Sequence, residues 1–343
     1  MQDNLFISNF KTILKLIFFL LIVIIAFNYI GLKYKSVADK NIINVFTQQR
    51  YNEFYEQKTN TIDTVFIGSS HSYCTFDPEI IDSILGTSSW QLGTPLQHYD
   101  TSYYVLKEVL NYQKPKKVIL ELYWDILKDD FEMKQANTFF EVLKNDELKK
   151  EYIKEVFPLN EKIKFNLFPI RYQQDYFAYE ANKIQENIEK KFNINEKSTF
   201  YSEGNEYYKS RGYVFADIIM PKDEYDKTNQ FKNFDGKNWN FNKNQKKYIK
   251  KIIELCKKNN IDLYFVTAPV ANVSMDFIKN YDIINNTISE FAKENNIPYI
   301  DYNVINNKFN ILNNENFRDD AHLNHSGVEI ISTHFANWLL ELK

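Results

Sequence analysis

Glycine is scarce in this chain: there are 8 in 343 residues, about a third of the usual ~7 %. Each remaining glycine therefore marks a place where the backbone has little choice, and Gly68, Gly93 and Gly327 recur below. Cysteine is scarcer still. Cys74 and Cys256 are too few and too far apart for a disulfide framework or a zinc cluster, so both are expected to be free, small and apolar. There is no excess of positive charge. The net charge is −3 and the pI is near 6.0, which gives no sign of the basic face that phosphate-backbone binding needs, so no nucleic-acid partner is expected. There is no internal repeat and no Gly/Ser-rich linker. Length and a 44 % hydrophobic content permit a sizeable core, in one large domain or two small ones.

One long apolar run is present. "LIFFLLIVIIAFNYIGL", between Lys15 and Lys33, carries no charge, and with Ile13 and Leu14 it reaches the ~20 residues needed to span a bilayer. "AFNYIGLKY" offers no A-x-A-like cleavage site, so an uncleaved anchor is expected. Lys11 and Lys15 precede it while Lys33, Lys35 and Lys40 follow it, so the positive-inside count does not decide the orientation. The expected arrangement is a cytoplasmic tail over residues 1–12, a span over 13–32, a partly helical stalk over 33–60 and an exported domain over 61–343.

Within that domain, five apolar runs have strand character: residues 63–68, 88–92, 116–124, 261–269 and 297–302. Helical spacing follows at 78–85, where Asp77-Pro78 is a capping pair, and at 100–113, 244–260, 281–296 and 326–343. Strands alternating with helices, and apolar throughout, predict an α/β fold whose parallel sheet is covered on both faces. Residues 126–240 break the rhythm. They read as one large helical insertion without a buried strand, packed on the sheet domain.

The first strand ends in "TVFIGSSHSYC", which places a serine pair at the carboxyl edge of the sheet, where open parallel sheets bind ligands. A serine there is a nucleophile only if a base takes its proton and backbone donors hold the oxyanion. "NFRDDAHLNHSG" supplies Asp319 three residues before His322, at the same edge, a spacing that lets the carboxylate bond Nδ1 and leave Nε2 for the serine. Gly93 in "QLGTP" permits the close approach of a backbone N–H. The ordinary alternative for the serines is a capped turn. His325 and Asp320 rival His322 and Asp319, although a polar helix start explains them and Asp320 reads as solvated. His71 either lines the site around the serine or is merely exposed, while His98 and His334 read as structural. A metal set of His71, His98, His322 and Asp319 fits no familiar spacing, and no metal or cofactor is expected. Cys74 lacks the post-strand position of a nucleophile. Arg171 and Arg211, two of four arginines, are candidates for an anionic substrate, and the insertion's aromatics are candidates for stacking on sugars or for ordinary packing.

Gly68-Ser69-Ser70 resembles the first block of the SGNH (GDSL-type) hydrolase superfamily, with serine in place of the usual aspartate. Gly93 is similar to its second-block glycine, and Asp319-Asp320-Ala321-His322 to its D-x-x-H block. The resemblance covers residues 62–125 and 260–343. It departs from the family at the third block, where "ELYWD" (121–125) has no asparagine. With the anchor, it resembles the membrane-tethered branch that includes alginate O-acetylation and teichoic-acid D-alanine transfer proteins. The resemblance implies a three-layer, flavodoxin-like sheet. It implies Ser70, the second serine, as nucleophile, His322 as base and Asp319 as its orienter, with Ser70 and Gly93 forming the oxyanion hole. It further implies a membrane-bound O-acyltransferase as partner and a cell-surface polysaccharide or teichoic-acid-like polymer as acceptor, with the catalytic domain outside the cytoplasm. Transfer and hydrolysis stay open, as do a non-catalytic adaptor on the same fold and a metal-dependent hydrolase.

Overall fold

The computed structural model describes residues 2–178 and 206–342, which fall into two compact units. One comprises Met1–Val45 and Phe157–Glu189, the other Phe46–Val156 and Lys190–Lys343.

The second unit holds all seven strands of the described residues, in chain order β1 (Thr64–Ile67), β2 (Ser89–Gln91), β3 (Lys117–Glu121), β4 (Tyr207–Ser210), β5 (Tyr213–Phe215), β6 (Asp262–Thr267) and β7 (Tyr299–Asp301). Five of them form one parallel sheet in the order β2-β1-β3-β6-β7. The four residues of β1 are all buried, as a strand covered on both faces requires. Phe66, Ile119, Val266 and Ile300 turn to one face and pack with Ile81 of helix Pro78–Leu85 and with Val328, Ile331, Phe335 and Leu339 of the final helix, His325–Glu341. On the other face Phe265 stacks on Phe291 of helix Tyr281–Glu294, and helices Tyr99–Tyr112 and Lys243–Lys258 pack together. The α/β expectation and its five parallel strands hold. So does the capping pair: the Asp77 carboxylate accepts the Glu79 N–H at 2.9 Å, and Gly86, at φ +64°, closes that helix.

The order places a topological switch between β1 and β3, since the chain leaves β1 towards β2 on one side and β3 towards β6 on the other. Open sheets of this kind bind ligands in the crevice at that point.

Three expectations need correction. The insertion is not purely helical, because β4 and β5 form an antiparallel hairpin with Tyr207, Tyr208, Tyr213 and Val214 buried. Its strands are short and aromatic, and its turn puts Arg211 at φ +47° beside Gly212 at +86°, so the usual Asn-Gly signal is missing. Nor is the insertion one body: its stretch from Phe157 belongs with the anchor, and its residues 179–205 lie outside the described ones. The expected boundary between stalk and domain at residue 61 also moves, since the sheet unit begins at Phe46. The first helix, Gln2–Ala38, runs past the expected span, and in the next, Ile42–Glu56, Arg50, Tyr51 and Phe54 are buried in the sheet unit. Helix Lys243–Lys258 does present a basic face, which the net charge conceals. None of its seven lysines pairs with a carboxylate among the described residues.

Among the described residues, the first unit contains one helical segment, Asn9–Ala38, that is long and apolar enough to cross a membrane, with a mean hydropathy of 2.7 over its most apolar 18 residues.

Candidate active site

Ser70 opens the short helix Ser70–Tyr73 directly beyond β1, and Ser69 caps it, its Oγ accepting the His71 N–H at 3.2 Å. This puts the Ser70 side chain at the carboxyl edge of the sheet, at the switch point. His322 Nε2 lies 2.8 Å from Ser70 Oγ. On the other side of the ring, Nδ1 is 3.0 Å from Asp319 Oδ1 and 3.1 Å from Oδ2. A carboxylate can only accept, so Nδ1 carries the proton and Nε2 is left to accept from the serine hydroxyl.

The carboxylate is held by its own turn. Asp319 Oδ1 also accepts the backbone N–H groups of Ala321 at 2.8 Å and His322 at 2.7 Å. An antiparallel bridge between Phe317 and Leu323 closes the turn, and Arg318 N–H donates to the His322 carbonyl at 3.0 Å. Burial opposes ionisation of Asp319, but the His322 ring, its hydrogen bond and Arg318 outweigh it and hold the carboxyl below its ordinary range. The pair is therefore ready to stabilise an imidazolium.

Facing these groups, Gly93 follows β2 so closely that a Cβ there would lie 2.8 Å from the Gly68 carbonyl and 2.9 Å from that of Ser69. Neither the Ser70 nor the Gly93 N–H has a hydrogen-bond partner among the described residues. Two unsatisfied backbone donors beside a serine–histidine pair are what an oxyanion site requires.

Sequence reasoning missed three groups around this centre. Glu121, the last residue of β3, is 1 % exposed, and its Oε2 accepts both the N–H and the hydroxyl of Ser69 at 2.9 Å. Burial pushes its carboxyl up to about 7, against the pull of the two Ser69 hydrogen bonds. Arg50 is fully buried in the helix expected to be stalk; it donates to the Gly93 carbonyl at 2.7 Å and the Gly212 carbonyl at 2.8 Å while lying over the Tyr73 ring. Arg318 donates to Glu206 at 2.8 Å and reaches Cys74 Sγ at 3.3 Å, beside Asp319. Glu121 fell inside the strand expected over 116–124, and nothing local linked it to Ser69.

The remaining candidates separate. His71 is buried and stacks on Tyr123 at 3.9 Å, with its centroid 4.7 Å from that of His322. Burial, and then the His322 charge, push His71 well below the ordinary histidine range, and neither ring nitrogen has a partner among the described residues. Tyr123 thus stands just after β3, where an asparagine was missed. Asp320 is buried rather than solvated and accepts the Gln230 N–H at 2.6 Å. His325 meets the Tyr213 hydroxyl at 3.0 Å and His334 that of Tyr302 at 3.1 Å, while His98 stands at the start of helix Tyr99–Tyr112. No three His, Cys, Asp or Glu side chains among the described residues are arranged to hold a metal ion, so His71, His98, His322 and Asp319 do not form one site. Arg211 is paired with Asp82, and Arg171 lies over the Phe165 ring in the anchor unit. Burial drives the Cys74 thiol up to about 12.

No family model matches the chain, and no curated protein matches it significantly.

Proposed function

We propose that the chain is a membrane-anchored serine acyltransferase or esterase of the SGNH type. Its catalytic unit lies outside the cytoplasm and acts on a cell-surface polysaccharide or teichoic-acid-like polymer. The observation that carries this reading is the continuous Ser70–His322–Asp319 hydrogen-bond chain, together with two backbone N–H groups, of Ser70 and Gly93, that have no partner among the described residues. In the first step Ser70 Oγ attacks the acyl carbonyl as its proton passes to His322 Nε2, and the oxyanion accepts from the Ser70 and Gly93 N–H groups. Collapse breaks the bond to the leaving group, which takes the proton from His322 and leaves an acyl-Ser70 ester. An acceptor hydroxyl then gives its proton to His322 and attacks the ester. The tetrahedral species expels Ser70 Oγ, which recovers that proton. Water in place of the sugar hydroxyl makes the same cycle an esterase.

An anionic acceptor suits the lysines of helix Lys243–Lys258, which begins at the carboxyl edge of the sheet because it runs antiparallel into β6. The acyl donor fits delivery by a membrane-bound O-acyltransferase working beside the anchor.

The test uses the full-length protein in detergent, a fluorophosphonate probe and 4-nitrophenyl acetate. Labelling at Ser70, lost in Ser70→Ala and His322→Asn variants that still unfold cooperatively, is the expected result. A parent protein that neither labels nor turns over, and that matches Ser70→Ala in every assay, sinks the enzyme reading. The adaptor reading, favoured by the tyrosine that follows β3 where the family has asparagine, then takes its place.

A further inference from the structure

The anchor helix is not bare where its apolar run ends. Gly31 is the one glycine in that helix, and a Cβ there would lie 2.5 Å from Pro169 Cδ and 2.6 Å from Phe168 Cβ. A small residue is what lets two backbones approach this closely. Three residues earlier, the Asn28 side-chain oxygen accepts the Phe168 N–H at 2.7 Å. That N–H opens helix Phe168–Arg171 and has no partner inside it. Further along, Tyr34 and Tyr176 stack with centroids 4.0 Å apart and planes 8° apart. Residues 168–176 are thus strapped along the last turns of the anchor.

The level of this strap follows from helix geometry. Asn28 lies four residues before the end of the uncharged run at Leu32, or about 6 Å below it at ~1.5 Å per residue. If the run spans a bilayer, the Phe168 backbone enters the boundary between acyl chains and headgroups. A backbone N–H there needs an internal acceptor, and Asn28 supplies one.

Helix Leu159–Phe165 leads into the strap. Its Phe165 is buried, edge-on to Phe157 at 5.0 Å and beneath the Arg171 guanidinium at 3.8 Å. Leu159 is 77 % exposed and Ile163 64 %, four residues apart on one face. Lys162 and Lys164 stand next to them in sequence. Large apolar side chains in step on one face, flanked by lysines, are the pattern of a helix lying in a membrane interface.

We propose that residues 157–176 form a collar in the headgroup layer where the anchor leaves the bilayer, with Leu159 and Ile163 seated at the acyl boundary of a lipid surface. The collar rests on the reading of residues 13–32 as a membrane span and is independent of any acyl chemistry. It fixes the depth of the anchor, because Gly31 and Asn28 hold the collar at one height on the helix.

The test places a polarity-sensitive, thiol-reactive fluorophore on the full-length protein in vesicles of equal parts phosphatidylcholine and phosphatidylglycerol. Because Cys74 and Cys256 are buried, introduced cysteines label selectively. Leu159→Cys and Ile163→Cys are compared with Ile22→Cys inside the span and with Phe309→Cys, which is 58 % exposed in the sheet unit. Lipids brominated near the headgroup end of the acyl chain are expected to quench the probes at 159 and 163 several-fold more than the probe at 309, with blue-shifted emission. Gly31→Leu, which displaces Pro169, is expected to remove most of that quenching while leaving the probe at 22 unchanged. If 159 and 163 behave like 309 while deep-brominated lipids quench 22, the collar is wrong and the span stands. If the probe at 22 is not quenched either, span and collar fall together.

Discussion

Replacing Glu121 by glutamine separates the charge of this buried group from its hydrogen bonding. The glutamine carbonyl can accept the N–H and hydroxyl of Ser69 just as Oε2 does, both at 2.9 Å in the parent. The amide nitrogen falls where Oε1 has no partner, which costs about 1–3 kcal/mol at every pH. Ionisation is what differs. In the folded parent the carboxyl is raised by burial from its ordinary 4.5 to about 7. Below the lower value both folded and unfolded chains hold the proton. Between the two values the unfolded chain has lost it and the folded chain has not, so parent stability falls as pH rises, and above about 7 the loss is complete. At about 1.4 kcal/mol per tenfold in proton affinity, the window is worth about 3 kcal/mol. Asp100 and Asp301, each pushed up to about 6 by burial, weaken both proteins alike and cancel in the difference. Urea unfolding of the full-length proteins in detergent, followed by tryptophan fluorescence from about pH 4 to about pH 8, should therefore show the glutamine variant gaining about 3 kcal/mol on the parent across the series. A difference that stays flat to within about 1 kcal/mol would refute the claim that Glu121 enters the folded core as a neutral acid.

Other consequences can be checked in the same preparations. Asp319→Asn leaves Nδ1 without its anionic acceptor and favours the wrong tautomer, so fluorophosphonate labelling of Ser70 should slow by about a hundredfold or more with little change in melting temperature; an unchanged rate would remove Asp319 from the mechanism. Gly93→Ala drives a methyl against the Gly68 and Ser69 carbonyls, and should cost about 1–3 kcal/mol in urea together with most of the labelling. Arg50→Met strips the donors from the Gly93 and Gly212 carbonyls and should lower stability by about 3 kcal/mol, a larger loss than any solvated arginine gives on unfolding assays. Cys74, with its thiol raised to about 12, should resist iodoacetamide in the native protein at neutral pH and react on unfolding, as read by peptide mass.

The sheet was legible because its signal is local. "VFI" in the first strand and "VIL" in the third are unbroken apolar cores, the pattern of a strand buried on both faces. Helix starts were legible for the same reason, since Asp77-Pro78 carries its own cap. The hairpin β4–β5 was not. Its strands of four and three residues sit in an aromatic-rich stretch, and an arginine occupies the turn position where Asn or Gly would have announced it. The division of the insertion between the two units was hidden as well. Stickiness of Phe157 and Phe165 for each other, rather than for the sheet, is a tertiary fact that composition does not encode.

The same distinction explains what could be seen of the candidate site. Ser70 and the Asp319–His322 pair announce themselves because each is set by a short turn: one after β1, the other a three-residue loop whose carboxylate binds its own backbone. What holds those turns in register comes from elsewhere in the chain. Glu121 grips Ser69 from 52 positions away, and Arg50 grips the Gly93 carbonyl from 43. Neither residue carries a motif, and both are charged side chains that a single sequence assigns to the surface by default. Their burial follows from the topology, because a parallel sheet that reverses its winding between β1 and β3 brings the end of β3 directly against the loop after β1. Among the described residues Ser69 is the one donor to Glu121, and Gly68 leaves it room, since a Cβ at 68 would lie 2.6 Å from the Glu121 Cβ. Glycine at 68, a hydroxyl at 69 and a carboxyl at 121 are therefore one structural unit. A Gly68→Ala change should disturb Ser70 through Glu121 even though it adds nothing to the reacting face.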